Sequence, residues 1–359
     1  MVETMNRADR LQAKLASLGL EAMLVASAVN RRYLSGFTGT AGVLLLTSNS
    51  RSLLTDFRYM TQAPAQAVGY QVVEHAPELL DTVAALLAKE GIQKLGFEEQ
   101  HVTYAEYQAW SKALAPVELV PLSSLVEELR AVKDDAEIAV MQDAAMLADN
   151  TFKHILGYIE TGRTELEIAL EMETFMRRNG ASGPSFDTIV ASGERSALPH
   201  GVASERKVAA NEFVKLDFGA LYNGYCSDLT RTVVIGTPSD KHREIYSIVL
   251  EAQLHALANI RPGMTGREAD ALTRDIIKRY GYGEFFGHGT GHGLGMEIHE
   301  APRLSMKSDT ILTPGMIVTV EPGIYLPGFG GVRIEDDVAI TDTGIKILTS
   351  SPKELTVLG

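Results

Sequence analysis

Short apolar runs and amphipathic stretches alternate through roughly the first 125 residues of the chain. Residues 22–25, 42–46, 52–55, 70–73, 94–97 and 117–120 have the length and the aliphatic, β-branched or aromatic content of strands. Apolar positions recurring at three- and four-residue spacing predict helices near 8–18, 78–89 and 104–114. Strands interleaved with helices are the pattern of an α/β layer structure.

From Leu129 the pattern changes. RAVKDDAEIAVMQDAAMLADNTFKHILGYI is a long helical stretch whose acidic residues near its start complement the positive end of the helix dipole. We place a domain boundary near residue 128, giving segments 1–128 and 129–359. Further helices are expected over 165–178, 240–259 and 266–280, with strand pairs between and after them, so the second segment is α+β. A chain of 359 residues exceeds the size at which one core usually stops growing, which agrees with two domains. No fixed-period repeat or low-complexity tract is present.

Composition removes several function classes. At 45% hydrophobic and 22% charged residues the chain is ordinary for a globular protein, and no run approaches the roughly eighteen apolar residues of a membrane span. The first residues, MVETMNRADRLQAKLASLGLEAMLVAS, mix charges with apolar positions and lack the apolar centre of a signal peptide. The single cysteine, Cys226, can form no intramolecular disulfide and is expected to be a small buried hydrophobe. Together these predict a cytoplasmic protein. A net charge of −13 repels polyanions and no Lys/Arg-rich run offsets it, so no nucleic-acid partner is expected.

The chemistry-bearing residues lie in the second segment. EFVKLDFGALYNGYCSDLTRTVVIG reads as a hairpin whose Asn223–Gly224 pair suits a two-residue type I′ turn. That turn sets Asp217 opposite Thr230 and makes Asp228 its diagonal neighbour on the same face. Two buried carboxylates so placed need cations or a shared proton. Downstream, GHGTGHGLGMEIHEAP brings His288, His292 and His299 close in sequence, VTVEPGIY supplies Glu321, and GGVRIEDDVAI supplies Glu335. Gathered together, Asp217, Asp228, His292, Glu321 and Glu335 form an oxygen-rich set with one imidazole, suited to two divalent metal ions.

Each piece alone has a plainer reading. A strand aspartate beside a turn is usually solvated. Glu335, Asp336 and Asp337 could form an exposed acidic edge. His75, His101, His154, His242 and His255 read as surface histidines. The glycine-rich stretch fits neither a dinucleotide nor a phosphate-loop pattern, and HEAP lacks the spacing of a mononuclear zinc helix.

With all these motifs in hand, the chain resembles the Xaa-Pro peptidases, the prolidase and aminopeptidase P group with a pita-bread catalytic domain. The matching pieces are LPHG at His200, LDFG at Asp217, CSDLTRT at Asp228, GHGTGH at His288 and His292, IHEAPR at His299, TVEPGIY at Glu321 and GVRIEDD at Glu335. The stretch RRYLSGFTGTAGVLLLTSNSRSLLTDFRYMTQA resembles the N-terminal domain that these enzymes share with creatinase. The resemblance implies a dinuclear metallopeptidase that cleaves the bond before proline in short peptides, as a dipeptidase or as an aminopeptidase on longer chains. Methionine aminopeptidase generally lacks the N-terminal half, creatinase does not keep the metal ligands, and metal-free binding relatives have lost ligands that are present here.

The resemblance further implies that Asp217, Asp228, His292, Glu321 and Glu335 hold the metals. Hard oxygen ligands favour manganese, with cobalt or zinc as alternatives. Glu321 is implied as the base, and His288, His299 and His200 as groups facing the substrate or its developing charge. Arg333 is expected to hold a ligand carboxylate, Arg303 to bind the free carboxylate of a dipeptide, and the chain to form a homodimer.

Overall fold

In the computed structural model, which describes residues 6–359, the chain divides into two compact units, one ending at Arg130 and the other spanning Ala131–Gly359. In the first unit a six-stranded sheet is ordered Gln71–Glu74, Arg51–Thr55, Val43–Thr47, Ala22–Val25, Lys94–Glu98, Glu118–Leu122. Its two central hairpin contacts are antiparallel and the remaining pairings parallel. Ala22–Val25 lies at the middle and is buried along its whole length, as a strand flanked on both edges and packed on both faces must be. Helices Arg7–Ser17 and Tyr104–Ala113 begin with capping boxes from Asn6 and Thr103, which satisfy amide groups that the first turn leaves without partners.

One helix, Ala28–Ser35, was absent from the sequence reading. Its composition hides it, because Asn30 and Arg31 point inward instead of the usual apolar residues. Asn30 bridges Glu98 at 2.7 Å and Glu127 at 2.6 Å and accepts from Arg130 at 2.8 Å. A polar network in place of a greasy stripe carries no helical hydrophobic period.

The second unit carries three sheets that matter for chemistry. Glu212–Phe218 pairs antiparallel with Leu229–Ile235 on one side and with Ile189–Ser192 on the other. Gly291–Gly293 and Asp336–Ile340 flank Ile317–Val320 in a second sheet. Gly323–Leu326 and Gly330–Arg333 form a separate ribbon. The helices expected over 165–178 and 240–259 occur at those residues, and those expected to start the unit and to cover 266–280 occur as Asp135–Ile155 and Gly266–Arg279.

The hairpin register follows from its turn. Asn223 and Gly224 both have positive φ, at 49° and 86°, as a type I′ turn requires. Tyr222 pairs with Tyr225 and, ten positions further from the loop in the same frame, Glu212 pairs with Ile235; Asp217 stands opposite Thr230.

Two expectations about polar residues are corrected. Asp336 and Asp337 are buried, so no exposed acidic edge exists there. Asp336 is neutralised by Arg231 at 2.8 Å and Lys353 at 3.2 Å. His242 is buried rather than on the surface, because it closes a capping box with Ser239 and packs edge-on against Phe213. Cys226 is buried, and burial pushes its thiol pKa up to about 12, so it behaves as a small hydrophobe.

Candidate active site

Five short segments of the second unit converge on one cavity of about 570 Å³. Asp217 comes from the Glu212–Phe218 strand and Asp228 from the residue before the partner strand. The loop entering Gly291–Gly293 brings His288 and His292, Glu321 follows the Ile317–Val320 strand, and Glu335 joins Gly330–Arg333 to Asp336–Ile340. The glycines of GHGTGHG permit this convergence. A Cβ on Gly291 would sit 1.9 Å from the Thr319 carbonyl oxygen and one on Gly293 would sit 2.2 Å from that of Ala301. Backbones that close leave no room for any side chain.

The candidate ligand atoms are mutually close. One atom each from Asp228, His292 and Glu335 lie within 4.8 Å of one another. His292 Nε2 lies 3.6 Å from Asp228 Oδ2 and 3.5 Å from Glu321 Oε1. His292 Nδ1 donates to the Gly293 carbonyl at 3.1 Å, which leaves Nε2 as a lone pair directed at two carboxylates. Burial pulls the His292 pKa down to about 3, so the ring does not supply a proton to them.

The carboxylates repel one another. Burial, then Glu335 and Asp217, raises the Asp228 pKa well above its ordinary value, and burial, then Glu321 and Asp217, does the same for Glu335. Burial raises Glu321 to about 7. Asp228 Oδ1 is buried and has no hydrogen-bond partner. Clustered acids, an imidazole lone pair and an orphaned carboxylate oxygen are what divalent cations would satisfy. The donor set therefore fits divalent cations.

Around this cluster, neutral and cationic groups fix the ligands. Thr230 Oγ1 donates to Glu335 Oε2 at 2.5 Å and Thr319 Oγ1 to Glu321 Oε1 at 3.2 Å. Arg333 donates to Asp217, to the Pro199 carbonyl at 3.2 Å and to the Tyr325 hydroxyl at 2.7 Å. That hydroxyl then donates to His288 Nε2 at 2.7 Å, while His288 Nδ1 donates to the Gly289 carbonyl at 2.8 Å. The donors run in one direction from Arg333 to Gly289. Burial, aided by the Arg333 charge, lowers the His288 pKa to about 4 and keeps that ring neutral. Both His288 nitrogens are thus engaged, and donation to a substrate requires one of these bonds to be exchanged.

His200, His299 and Arg303 line the outer part of the same cavity and are exposed. The His299 ring meets His292 edge-on at 4.5 Å, and burial together with Arg303 lowers its pKa. Phe186, Ile189, Val202 and Ile298 add an apolar wall that the sequence did not disclose. Ile189 opens a strand and the other three come from three separate loops, with no shared motif, and only the fold collects them. Lys215 was also overlooked. It lies two residues before Asp217 and fully buried, where a mid-strand lysine would ordinarily mark a solvent face.

Comparison with known proteins extends the same picture. Residues 139–342 match the family described as metallopeptidase family M24, and residues 7–132 match the creatinase/prolidase N-terminal domain. An uncharacterized peptidase of Bacillus subtilis is 51% identical over 98% of this chain and 99% of its own length. The structure of an Xaa-Pro dipeptidase from Bacillus anthracis is 55% identical, covers 98% of this chain and 99% of that one, and superposes with a TM-score of 0.96. An X-Pro aminopeptidase structure from Thermotoga maritima is 40% identical, covers 96% of this chain and all of its own, with a TM-score of 0.91. No helix among the described residues is long and apolar enough to cross a membrane. With more than half its length matched by one family and relatives alike from end to end, the chain belongs to metallopeptidase family M24, a pita-bread catalytic unit following a creatinase/prolidase N-terminal domain in sequence.

Proposed function

We propose that this metallopeptidase hydrolyses the Xaa-Pro bond at the N-terminus of short peptides, acting as an Xaa-Pro dipeptidase. The observation that carries the reading is one cavity with a buried carboxylate and imidazole cluster at its base, an apolar wall beside it and Arg303 at its outer edge. The wall of Phe186, Val202 and Ile298 suits a pyrrolidine ring, and the guanidinium suits the free carboxylate that a dipeptide presents after proline.

Asp217, Asp228, His292, Glu321 and Glu335 would hold two divalent cations, manganese by ligand type, with cobalt or zinc able to substitute. Bound there, such ions polarise a carbonyl and make a water acidic enough to attack at neutral pH. The chain's own groups do the rest. Glu321 accepts the attacking water's proton and returns it to the proline nitrogen, which leaves as an amine. His299 donates to the substrate carbonyl oxygen, His288 joins it when its Tyr325 bond is exchanged, and His200 contacts the bound substrate. Arg333 holds the Asp217 carboxylate turned inward.

Cleavage of longer Xaa-Pro peptides is the second reading, favoured by the exposure of Arg303 and by likeness to the Thermotoga maritima X-Pro aminopeptidase. The further proposals are a cytoplasmic homodimer and domains spanning 1–128 and 129–359. The deciding experiment is hydrolysis of Xaa-Pro and Xaa-Pro-Xaa by chelator-stripped protein before and after metal add-back, with elemental analysis. Activity should vanish on stripping, return with about two metal equivalents and favour the dipeptide. Full activity without metal would end the dinuclear reading, and a tripeptide preference would select the aminopeptidase.

A further inference from the structure

The loop that presents His200 is held by two buried charged side chains that belong to neither the metal cluster nor the cavity wall. Glu165, fully buried at the start of Glu165–Arg178, gathers the loop's two ends. Its Oε1 accepts from the Ser192 amide at 2.7 Å and hydroxyl at 2.8 Å, and its Oε2 accepts from the Ser204 amide at 3.1 Å and hydroxyl at 2.6 Å. Arg195 stands at 3.0 Å and neutralises that carboxylate.

Lys215 holds the middle. Its Nζ donates to the carbonyl of Leu198 at 2.6 Å, of Ser196 at 3.2 Å and of Pro199 at 3.4 Å. Pro199 O also accepts from Arg333, and the Gly331 amide donates to Ser196 Oγ at 2.8 Å. These carbonyls belong to the residues immediately before His200. Lys215 shares a strand face with Asp217, yet its amino group donates to the loop and not to a carboxylate, and it also stands 5.1 Å from the centre of the Tyr325 ring. A buried lysine costs the fold its hydration and its rotamer freedom, and it is sustained only by good acceptors.

We propose that Lys215 is a positioning residue for substrate binding: it fixes the backbone before His200 and so sets how that imidazole projects into the cavity. The inference rests on the proposed peptidase reading of His200 as a group facing the substrate. It separates Lys215 from the metal chemistry two residues away, because its hydrogen bonds lead to the loop. Removal should weaken binding and leave metal loading and turnover nearly intact.

The test is a double-mutant cycle on the metal-loaded protein with an Xaa-Pro dipeptide, using Lys215→Met, His200→Ala and both together. Methionine keeps the apolar stem and removes the donors. Lys215→Met should raise KM about tenfold with kcat within about threefold of wild type, Lys215→Arg should restore part of the loss, and metal content should not change. On the His200→Ala background the Lys215→Met effect should disappear, since coupled residues do not add. Multiplying losses, a fall in kcat at constant KM, or lost metal would overturn the proposal.

If Lys215→Met is not recovered folded, Glu165→Gln carries the same cycle from the other anchor, and a folded Glu165→Gln with wild-type KM overturns loop positioning. Amide exchange at Leu198, Gly201 and Val202 gives a readout independent of substrate. Faster exchange there in Lys215→Met or Glu165→Gln supports the anchoring even if the wild type cleaves no Xaa-Pro peptide, in which case the peptidase reading alone fails. Unchanged exchange in both variants overturns the anchoring itself.

Discussion

Arg333 donates its guanidinium to Asp217 from the neighbouring ribbon, and both side chains are buried. The same guanidinium reaches Tyr325, Pro199 and Thr230, so its planar fork is used on several partners at once. Arg333→Met would leave the Asp217 charge buried beside other carboxylates. Breaking a buried pair in this way costs about 3–5 kcal/mol. We expect a lower melting temperature and reduced metal content, and only partial recovery in Arg333→Lys, whose single ammonium cannot reproduce the fork. Thermal unfolding with elemental analysis checks this, and a wild-type profile for Arg333→Met would contradict it.

Glu321→Gln keeps the shape of the side chain but removes the proton acceptor. Turnover should fall by about a thousandfold with the fold intact. His292→Ala should lose a comparable amount by losing metal, whereas His75→Ala, in the other unit, should do little. Steady-state kinetics beside circular dichroism separates these cases. Near wild-type turnover in metal-loaded Glu321→Gln would remove the assigned base.

Acidity should act on the metal-free protein in an unusual direction. Asp228 and Glu335 have folded-state pKa values raised by burial and mutual repulsion, so the folded chain keeps protons that the unfolded chain has released. Below the unfolded carboxylate value, near about 4, the penalty is absent, and it grows as pH rises toward neutrality. The melting temperature of stripped protein should therefore fall between about pH 5 and pH 7.5 more steeply in the wild type than in Asp228→Asn. Metal addition at neutral pH should raise it and release protons. Identical slopes for the two stripped proteins would show that Asp228 carries no such strain.

Arg303→Ala should raise KM for Xaa-Pro by about tenfold or more and leave Xaa-Pro-Xaa nearly unaffected, because only the dipeptide places a free carboxylate there. Equal effects on both substrates would return Arg303 to an ordinary surface role.

What the sequence disclosed follows from where information is local. Asp217 and Asp228 could be paired on paper because Asn223–Gly224 fixes a two-residue loop, and the side-chain period of two then carries the register back to both. The fourteen-residue helix Glu165–Arg178 lies where its sequence pattern placed it. Lys215 was not, since nothing near it in sequence announces that the loop before His200 folds back over it. Phe186 and Ile298 were hidden for the same reason. Ala28–Ser35 was missed because its inward face is polar and is satisfied by Glu98, Glu127 and Arg130 far along the chain.

The two-residue turn at Asn223 has a last consequence for how this centre can vary. Substitutions near it alter one contact at a time, but inserting or deleting a single residue there would move Asp228 to the opposite side of the sheet relative to Asp217. The catalytic unit should accept many point changes on its surface loops and almost no length change at this one. In a library of random insertions, the tip of this hairpin should stand out as a silent gap although neither Asn223 nor Gly224 lines the cavity.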